Sequence, residues 1–433
     1  MDEKTSEGLV RGIRRWDLAA MAINGIIGAG IFGLPSEVFS RIGVYSLFAF
    51  AACAVVVIVI ILCFAEVGSR FSETGGPYLY AREAFGSVVG FEVGWLIWVA
   101  RVTAFAANCN LLVSYASFFW PAASANPWRP IIITLVVVTI SLVNILGVRD
   151  AAIVGDFFTV GKLIPLVLFI AVGLFFLQPE RYTLGPAPGY EAFSSSCLLL
   201  IYAFSGFEMA IIPAGEARDP RRNLPFALLT AVGVVAVLYM LIQVVCIGTL
   251  ADVAASKRPL ADAATGFLGP AGGAIISAGA LVSILGNLNV ILLAGSRLPF
   301  AMAERTELPK FIGSVHRRFR TPHVSIVITG AVVLALTLSG SFVYAATISA
   351  IARLLTYAAT CAALPVLRRR ERELPALFHA PAGVVLAIVA LILCAWLLSN
   401  STAGQLRDSA IAGAIGLLVY LLYRFLGKSN SPA

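Results

Sequence analysis

The hydropathy of this chain runs in long apolar blocks separated by short polar connections, and no strand-like alternation competes with them. A spanning helix needs about 20 mostly apolar residues. Uncharged stretches such as 44–65, 224–250, 270–296 and 380–400 meet that length. The pattern predicts twelve spans, at 17–40, 44–68, 87–120, 130–148, 150–177, 191–216, 223–250, 270–301, 323–340, 342–367, 380–400 and 408–426. The fold class expected is an all-α integral membrane protein, one transmembrane domain over 1–433.

Two spans are interrupted by small residues at mid-membrane depth. The first carries Ile26-Ile27-Gly28-Ala29-Gly30-Ile31-Phe32 and the sixth carries Tyr202-Ala203-Phe204-Ser205-Gly206-Phe207-Glu208. Glycine costs roughly 1 kcal/mol against alanine in a helix interior, so such runs favour opening the helix. Opened backbone cannot be satisfied by hydrocarbon and must line a polar cavity. The competing reading is that these small residues let two helices pack closely. The breaks lie five spans apart, an odd number, so spans 1–5 and 6–10 run with opposite topology. That is the layout of an inverted repeat: 16–178 as the first copy, 190–367 as the second, and 380–427 as two added helices.

Composition sharpens this picture. Apolar residues make up 59% of the chain and charged residues 12%, far from the balance of a soluble domain. The net charge of +8 is a topology signal rather than a nucleic-acid footprint. With both termini inside, 21 Lys and Arg fall on cytoplasmic segments and 6 on the opposite side. That excess orients the protein by the positive-inside rule, multi-pass in a cell (inner) membrane with both termini cytoplasmic. The first span follows a polar stretch, Met1 to Arg15, without a cleavage site, so it reads as part of the mature protein. The seven cysteines lie in or at the ends of apolar spans without a CxxC pair, and the three histidines lack carboxylate partners at ligand spacing. No metal, cofactor or nucleic-acid partner is expected.

Four motifs occur in order along the chain. They are Asn24 to Pro35; Glu73-Thr74-Gly75-Gly76-Pro77-Tyr78-Leu79-Tyr80-Ala81; Ala203 to Glu208 followed by Asp219-Pro220-Arg221-Arg222-Asn223-Leu224-Pro225; and Ser296-Arg297, Leu308-Pro309 and Arg320-Thr321-Pro322. Together they resemble the signatures of the amino acid–polyamine–organocation superfamily of permeases and antiporters. The resemblance spans residues 16 to 370 and implies alternating access with an amino-acid-like substrate.

Candidate residues follow from both sources. The half-helix after the first break begins near Gly30 and Ile31 with free N–H groups, which bind a carboxylate readily. The half-helix before it ends near Ile26 and Ile27 with carbonyls suited to an ammonium, and Tyr202 and Ala203 supply more. Gly28, Ala29, Ser205 and Gly206 complete this clamp for a zwitterionic amino acid. By resemblance Tyr202 covers the substrate; tyrosine is also common in membrane spans without such a role. Lys162, midway along the fifth span, resembles the lysine of sodium-independent members, where its amine takes the place of sodium. It is read as a fixed charge, a proton carrier or half of a structural ion pair. Glu208 is read as coupling protonation to gating or as neutralising a buried cation, with Arg353 a possible partner. By resemblance Arg101 aligns with a position that contacts the substrate side chain in related exchangers, which favours neutral or acidic substrates; the alternative is a pair with Glu92 or with another span's carboxylate.

The function expected is secondary active, sodium-independent transport of L-amino acids, with the proton and membrane lipid as further partners. An exchanger of cationic amino acids or polyamines is the alternative, and a non-transporting sensor a distant one. No nucleophile constellation or phosphate loop points to an enzyme.

Overall fold

The computed structural model describes residues 13–71, 75–147, 151–211, 217–370 and 372–429. Residues 1–12 of the polar leader, Glu73-Thr74 of the second motif, and the ends of the predicted spans at 148–150 and 212–216 lie outside the described residues. The described residues form helices joined by turns and loops, with one isolated bridge between Ile13 and Ala217.

The helices are α1 (Arg15–Ile26), α2 (Gly30–Ile42), α3 (Ser46–Gly68), α4 (Pro77–Phe85), α5 (Ser87–Ala116), α6 (Trp128–Leu146), α7 (Ala151–Gly173), α8 (Tyr190–Phe204), α9 (Pro220–Thr249), α10 (Pro259–Glu304), α11 (His323–Ser339), α12 (Phe342–Arg368), α13 (Gly383–Leu398) and α14 (Ala403–Ser429). Among the described residues, eight helical stretches are long and apolar enough to cross a membrane, and three apolar helices are shorter. Large apolar side chains such as Val55, Leu135, Ile164, Val237 and Ile392 stand on the outer surface. A soluble protein does not leave so many exposed.

Two helices lie where loops were expected. Pro77 opens α4 at its first position, where its missing N–H is harmless. Pro259 does the same for the first part of α10, which bends at Gly269-Pro270 where the eighth span was expected to begin.

α5 is the axis of the molecule. It is the most deeply buried of the long apolar helices, 89% of its apolar window against 17% for α14. α12 and α10 pack along it, while α3 and α9 hold the other side of the broken elements. At one end of α3, Glu66 is fully buried and takes Arg70 Nη2 at 3.0 Å, Arg368 Nε at 2.7 Å and the Ala380 amide at 2.9 Å. This ties α3, α12 and the approach to α13 together. A second tie lies outside the spans: the Tyr78 hydroxyl lies 3.2 and 3.1 Å from the two oxygens of Glu307 and donates to one of them, and Arg82 reaches the same carboxylate at 3.3 Å. Burial pushes the Glu307 carboxyl above its ordinary range, and Tyr78 and Arg82 pull against that.

Both predicted breaks are present. Residues Ile27 to Ala29 separate α1 from α2, and Ser205-Gly206 end α8 before a short 3-10 turn at Phe207–Met209. The breaks press on each other. A Cβ added at Gly30 would lie 2.8 Å from Ala203 Cα, and one added at Gly206 would overlap the Gly25 carbonyl. The two readings of these glycines therefore hold together: they open the helices and let them pack closely. Gly206 also sits at φ 111°, which L side chains rarely adopt.

Gly206→Ala should thus destabilise the protein by at least the 1–3 kcal/mol of a strained backbone residue, with the Gly25 clash added. The check is the thermal unfolding midpoint of the purified variant in detergent; a midpoint within a degree of native would show that the contact relaxes freely.

Candidate functional site

An opened helix must find partners for its backbone, and here side chains from neighbouring helices supply them. Lys162 on α7 donates from Nζ to the carbonyls of Asn24, at 2.6 Å, and Ile27, at 2.7 Å. Tyr239 on α9 places its hydroxyl 3.0 Å from the Ile26 carbonyl and 3.2 Å from that of Ala203, bridging the two breaks. A hydroxyl carries one proton, so it serves one carbonyl at a time. The amides of Ala29, Gly30 and Ile31 have no acceptor among the described residues. They form the N-terminus of α2, with its partial positive charge.

This revises one end of the expected clamp. When Tyr239 donates to it, the Ile26 carbonyl takes both that hydroxyl and the Gly28 amide, the latter at 2.8 Å, which uses its two lone pairs. Tyr202 O accepts from Ser205 Oγ at 2.8 Å. Spare acceptor capacity is left on Ile27, Tyr202 and Ala203, but not on Ile26.

Above the breaks, on the side where α2 runs out, the protein is closed. The Tyr202 hydroxyl meets Asn108 on α5, its ring stands edge-on to Phe342 on α12 at 6.3 Å, and Tyr115 donates to Phe32 O at 2.7 Å. On the opposite side, where α1 begins, a cavity of 660 Å³ opens. Asn24 and Gly25 on α1, Asn144 on α6, Lys162, and Asn287 and Asn289 on α10 form its polar wall, with Arg297 at the mouth. Among the described residues, no carboxylate lines it. Asn144 Nδ2 donates to Asn289 Oδ1 at 2.9 Å, and the Asn287 amide lies directly over Gly28.

Glu208 follows the second break and is 6% exposed. It forms an ion pair with Arg353 on α12, accepts from Tyr357 at 3.1 Å and from the Gly206 amide at 3.0 Å. Its carboxylate therefore both cancels a cation and pins the Gly206 turn.

Arg101 does not line the cavity. It is 1% exposed, its stem lies among Phe105, Ile291, Leu292 and Val333, and none of its three nitrogens has a hydrogen-bond partner among the described residues. The suggested pair with Glu92 is not formed: nine residues are two and a half turns, so the two leave opposite faces of α5, and Glu92 meets α14 at Gly413. The clamp residues of the two breaks and Lys162 are thus brought together, with Glu208 beside them and Arg101 set behind. Tyr239, Tyr357 and the cavity asparagines were not singled out from the sequence. Their signal was weak but present, because a phenol or amide inside an apolar span must find a partner.

Comparison with known proteins agrees with this architecture. A profile described as amino acid permease matches residues 13–420. The methylthioribose transporter of Bacillus subtilis (strain 168) is 25% identical over 440 residues, covering 97% of this chain and 95% of its own length. The serine/threonine exchanger SteT of the same organism is 28% identical over 435 residues, 98% of each chain. An uncharacterized transporter of Mycobacterium bovis is 29% identical over 329 residues, 74% of this chain and 72% of its own. These relatives are transporters, not enzymes. The chain is a membrane protein of the amino acid permease family, within the amino acid–polyamine–organocation superfamily.

Proposed function

We propose that the protein is a sodium-independent secondary transporter of L-amino acids, neutral or acidic, working by alternating access in the cell membrane. Its twelve spans form two inverted five-span repeats with α13 and α14 added, α1 with α2 counting as one broken span and α8 with the following turn as the other. Both termini face the cytoplasm, so the cavity opens inward.

The observation that carries this reading is the pair of breaks in contact, beside a cavity whose wall holds Asn24 and Gly25 at the end of α1 and Lys162. The free amides of Ala29, Gly30 and Ile31 suit a substrate carboxylate, and the spare lone pairs of Ile27, Tyr202 and Ala203 suit its ammonium. Tyr202, held by Asn108 and edge-on to Phe342, closes the far side. The SteT relative, a serine/threonine exchanger, supports an amino acid as cargo. Lys162 fills the place of a cation at the end of α1, where two carbonyls meet its ammonium. It acts as a fixed replacement for sodium or as the carrier of a coupled proton. Two cations, Lys162 and Arg297, and no carboxylate among the described residues of the cavity wall disfavour the cationic or polyamine alternative.

Reconstituted protein should take up labelled amino acid equally well when sodium is replaced by choline. Lys162→Ala, which strips donors from two buried carbonyls at about 1–3 kcal/mol each, should lower uptake at least roughly tenfold. A steep sodium requirement in the native protein would overturn this assignment of Lys162. A proton gradient that drives native uptake but not that of Lys162→Met would select the proton carrier over the fixed charge.

In a competition panel, arginine, lysine and agmatine should need roughly tenfold higher concentrations than neutral or acidic L-amino acids to halve uptake. Arginine as the strongest competitor would instead favour the cationic exchanger.

A further inference from the structure

The loop that joins α10 to α11 carries cations that no carboxylate among the described residues answers. From Leu308 to Thr321 it holds Lys310, Arg317, Arg318 and Arg320 and no Asp or Glu. All four are exposed, and none forms an ion pair among the described residues. Arginines elsewhere at this end of the bundle are spent inside the protein: Arg82 on Glu307, Arg222 on Asp219 and Arg368 on Glu66. The loop is braced by its own backbone. The His316 amide donates to the Thr321 carbonyl at 2.8 Å and the Arg320 amide to the His316 carbonyl at 2.9 Å, which closes a turn. His316 Nδ1 accepts from the Arg318 and Phe319 amides, both at 3.2 Å, and the Phe319 ring lies against the imidazole at 4.8 Å. Thr321 Oγ1 donates to the Ile145 carbonyl at 2.6 Å, stapling the turn to the end of α6 at the mouth of the cavity. Three arginines are thus carried on a fixed turn. In the same loop Phe311 is 60% and Val315 44% exposed, while Ile312 packs inward against Phe91, Leu308 and Tyr420.

We propose that this loop is a docking surface for anionic phospholipid, on the side of the membrane where the cavity opens. The positive-inside rule accounts for basic residues at this end, but not for leaving them unpaired on a braced turn with apolar side chains in the same loop. α10 ends at Glu304 and α11 begins at His323, so the loop lies where the bundle leaves the hydrocarbon. At that level a basic stretch meets headgroup phosphates, and each Lys or Arg strengthens the attraction to an anionic surface about fivefold. The guanidinium forks of Arg317, Arg318 and Arg320 match phosphate oxygens in paired hydrogen bonds. Phe311 and Val315 find cover among the upper acyl carbons. Free phosphate offers no such cover, so the occupant is a lipid. The proposal holds whichever amino acid is carried.

The test is thermal stabilisation of the full-length protein in detergent, titrated with dioleoyl phosphatidylglycerol, dioleoyl phosphatidylcholine or inorganic phosphate. Phosphatidylglycerol should act at concentrations roughly tenfold below phosphatidylcholine, added salt should narrow that gap, and phosphate should have no effect in the same range. Arg317→Gln with Arg318→Gln should erase most of the preference, about fivefold for each cation removed. Arg317→Lys with Arg318→Lys, which keeps the charge without the fork, should retain part of it. Both arginines are exposed and outside any ion pair, so these variants should fold as the native protein does. Should the double variant fail to fold, each single Gln variant decides, with a loss of about fivefold expected. Phosphatidylcholine acting as well as phosphatidylglycerol, or a preference that ignores salt or survives the Gln substitutions, would overturn the proposal. Phosphate acting alone would overturn it in favour of a soluble anion.

Discussion

A carbonyl or amide stripped of its helical partner has no water to turn to inside a bilayer, and much of this structure answers to that constraint. The two breaks expose backbone at the same depth, and the surrounding helices are furnished to meet it. Lys162 comes from α7, Tyr239 from α9, and Glu208 folds back onto its own turn at the Gly206 amide. What these groups leave open, the amides at the head of α2, is as telling as what they close. The polar interior is neither a scattering of defects nor a general softness in the core. It is a short list of donors and acceptors matched to two interruptions.

That matching explains why the two interruptions must touch. Tyr239 can bridge Ile26 and Ala203 only because glycines at 25, 30 and 206 let the backbones approach without a side chain between them. Helix opening and helix packing, which look like rival explanations of a glycine-rich motif, here require each other. The same logic holds at the ends of the bundle, where Glu66 joins three elements through one fully buried carboxylate. Removing one partner of such a network leaves an uncompensated charge, which is far costlier than never having built it.

What the sequence disclosed follows the cost of each feature. Glycine runs and a lysine inside apolar spans are expensive, so they stand out in the sequence, and the helices open at those glycines and bury that lysine. The partners were harder to see. Any residue contributes a carbonyl, so nothing in the sequence marks Asn24 and Ile27 as the acceptors of Lys162. Tyr239 sits in a uniformly apolar stretch whose periodicity says nothing of its hydroxyl. Arg101 and Glu92 could have been separated by arithmetic alone, since nine residues turn a helix face through half a circle. The helix that begins at Pro259 also had a signal, proline at its first position and Asp262 in its first turn, but the glycine and proline that follow at 269 and 270 masked it.

The lopsided cavity has an electrical consequence. A polar recess of 660 Å³ is large enough to fill with water, and a water-filled recess carries the potential of the solution it opens to. The membrane field is then concentrated across the dry layer between the two breaks and the far surface, sealed by Tyr202, Phe342 and Tyr115. A charge on Lys162 sits at the inner edge of that layer and feels little of the voltage. A charge carried through the layer crosses nearly all of it, at about 2.3 kcal/mol per elementary charge for each 100 mV. Voltage would therefore act on any charge that crosses the seal, and hardly at all on the lysine that holds the break in place.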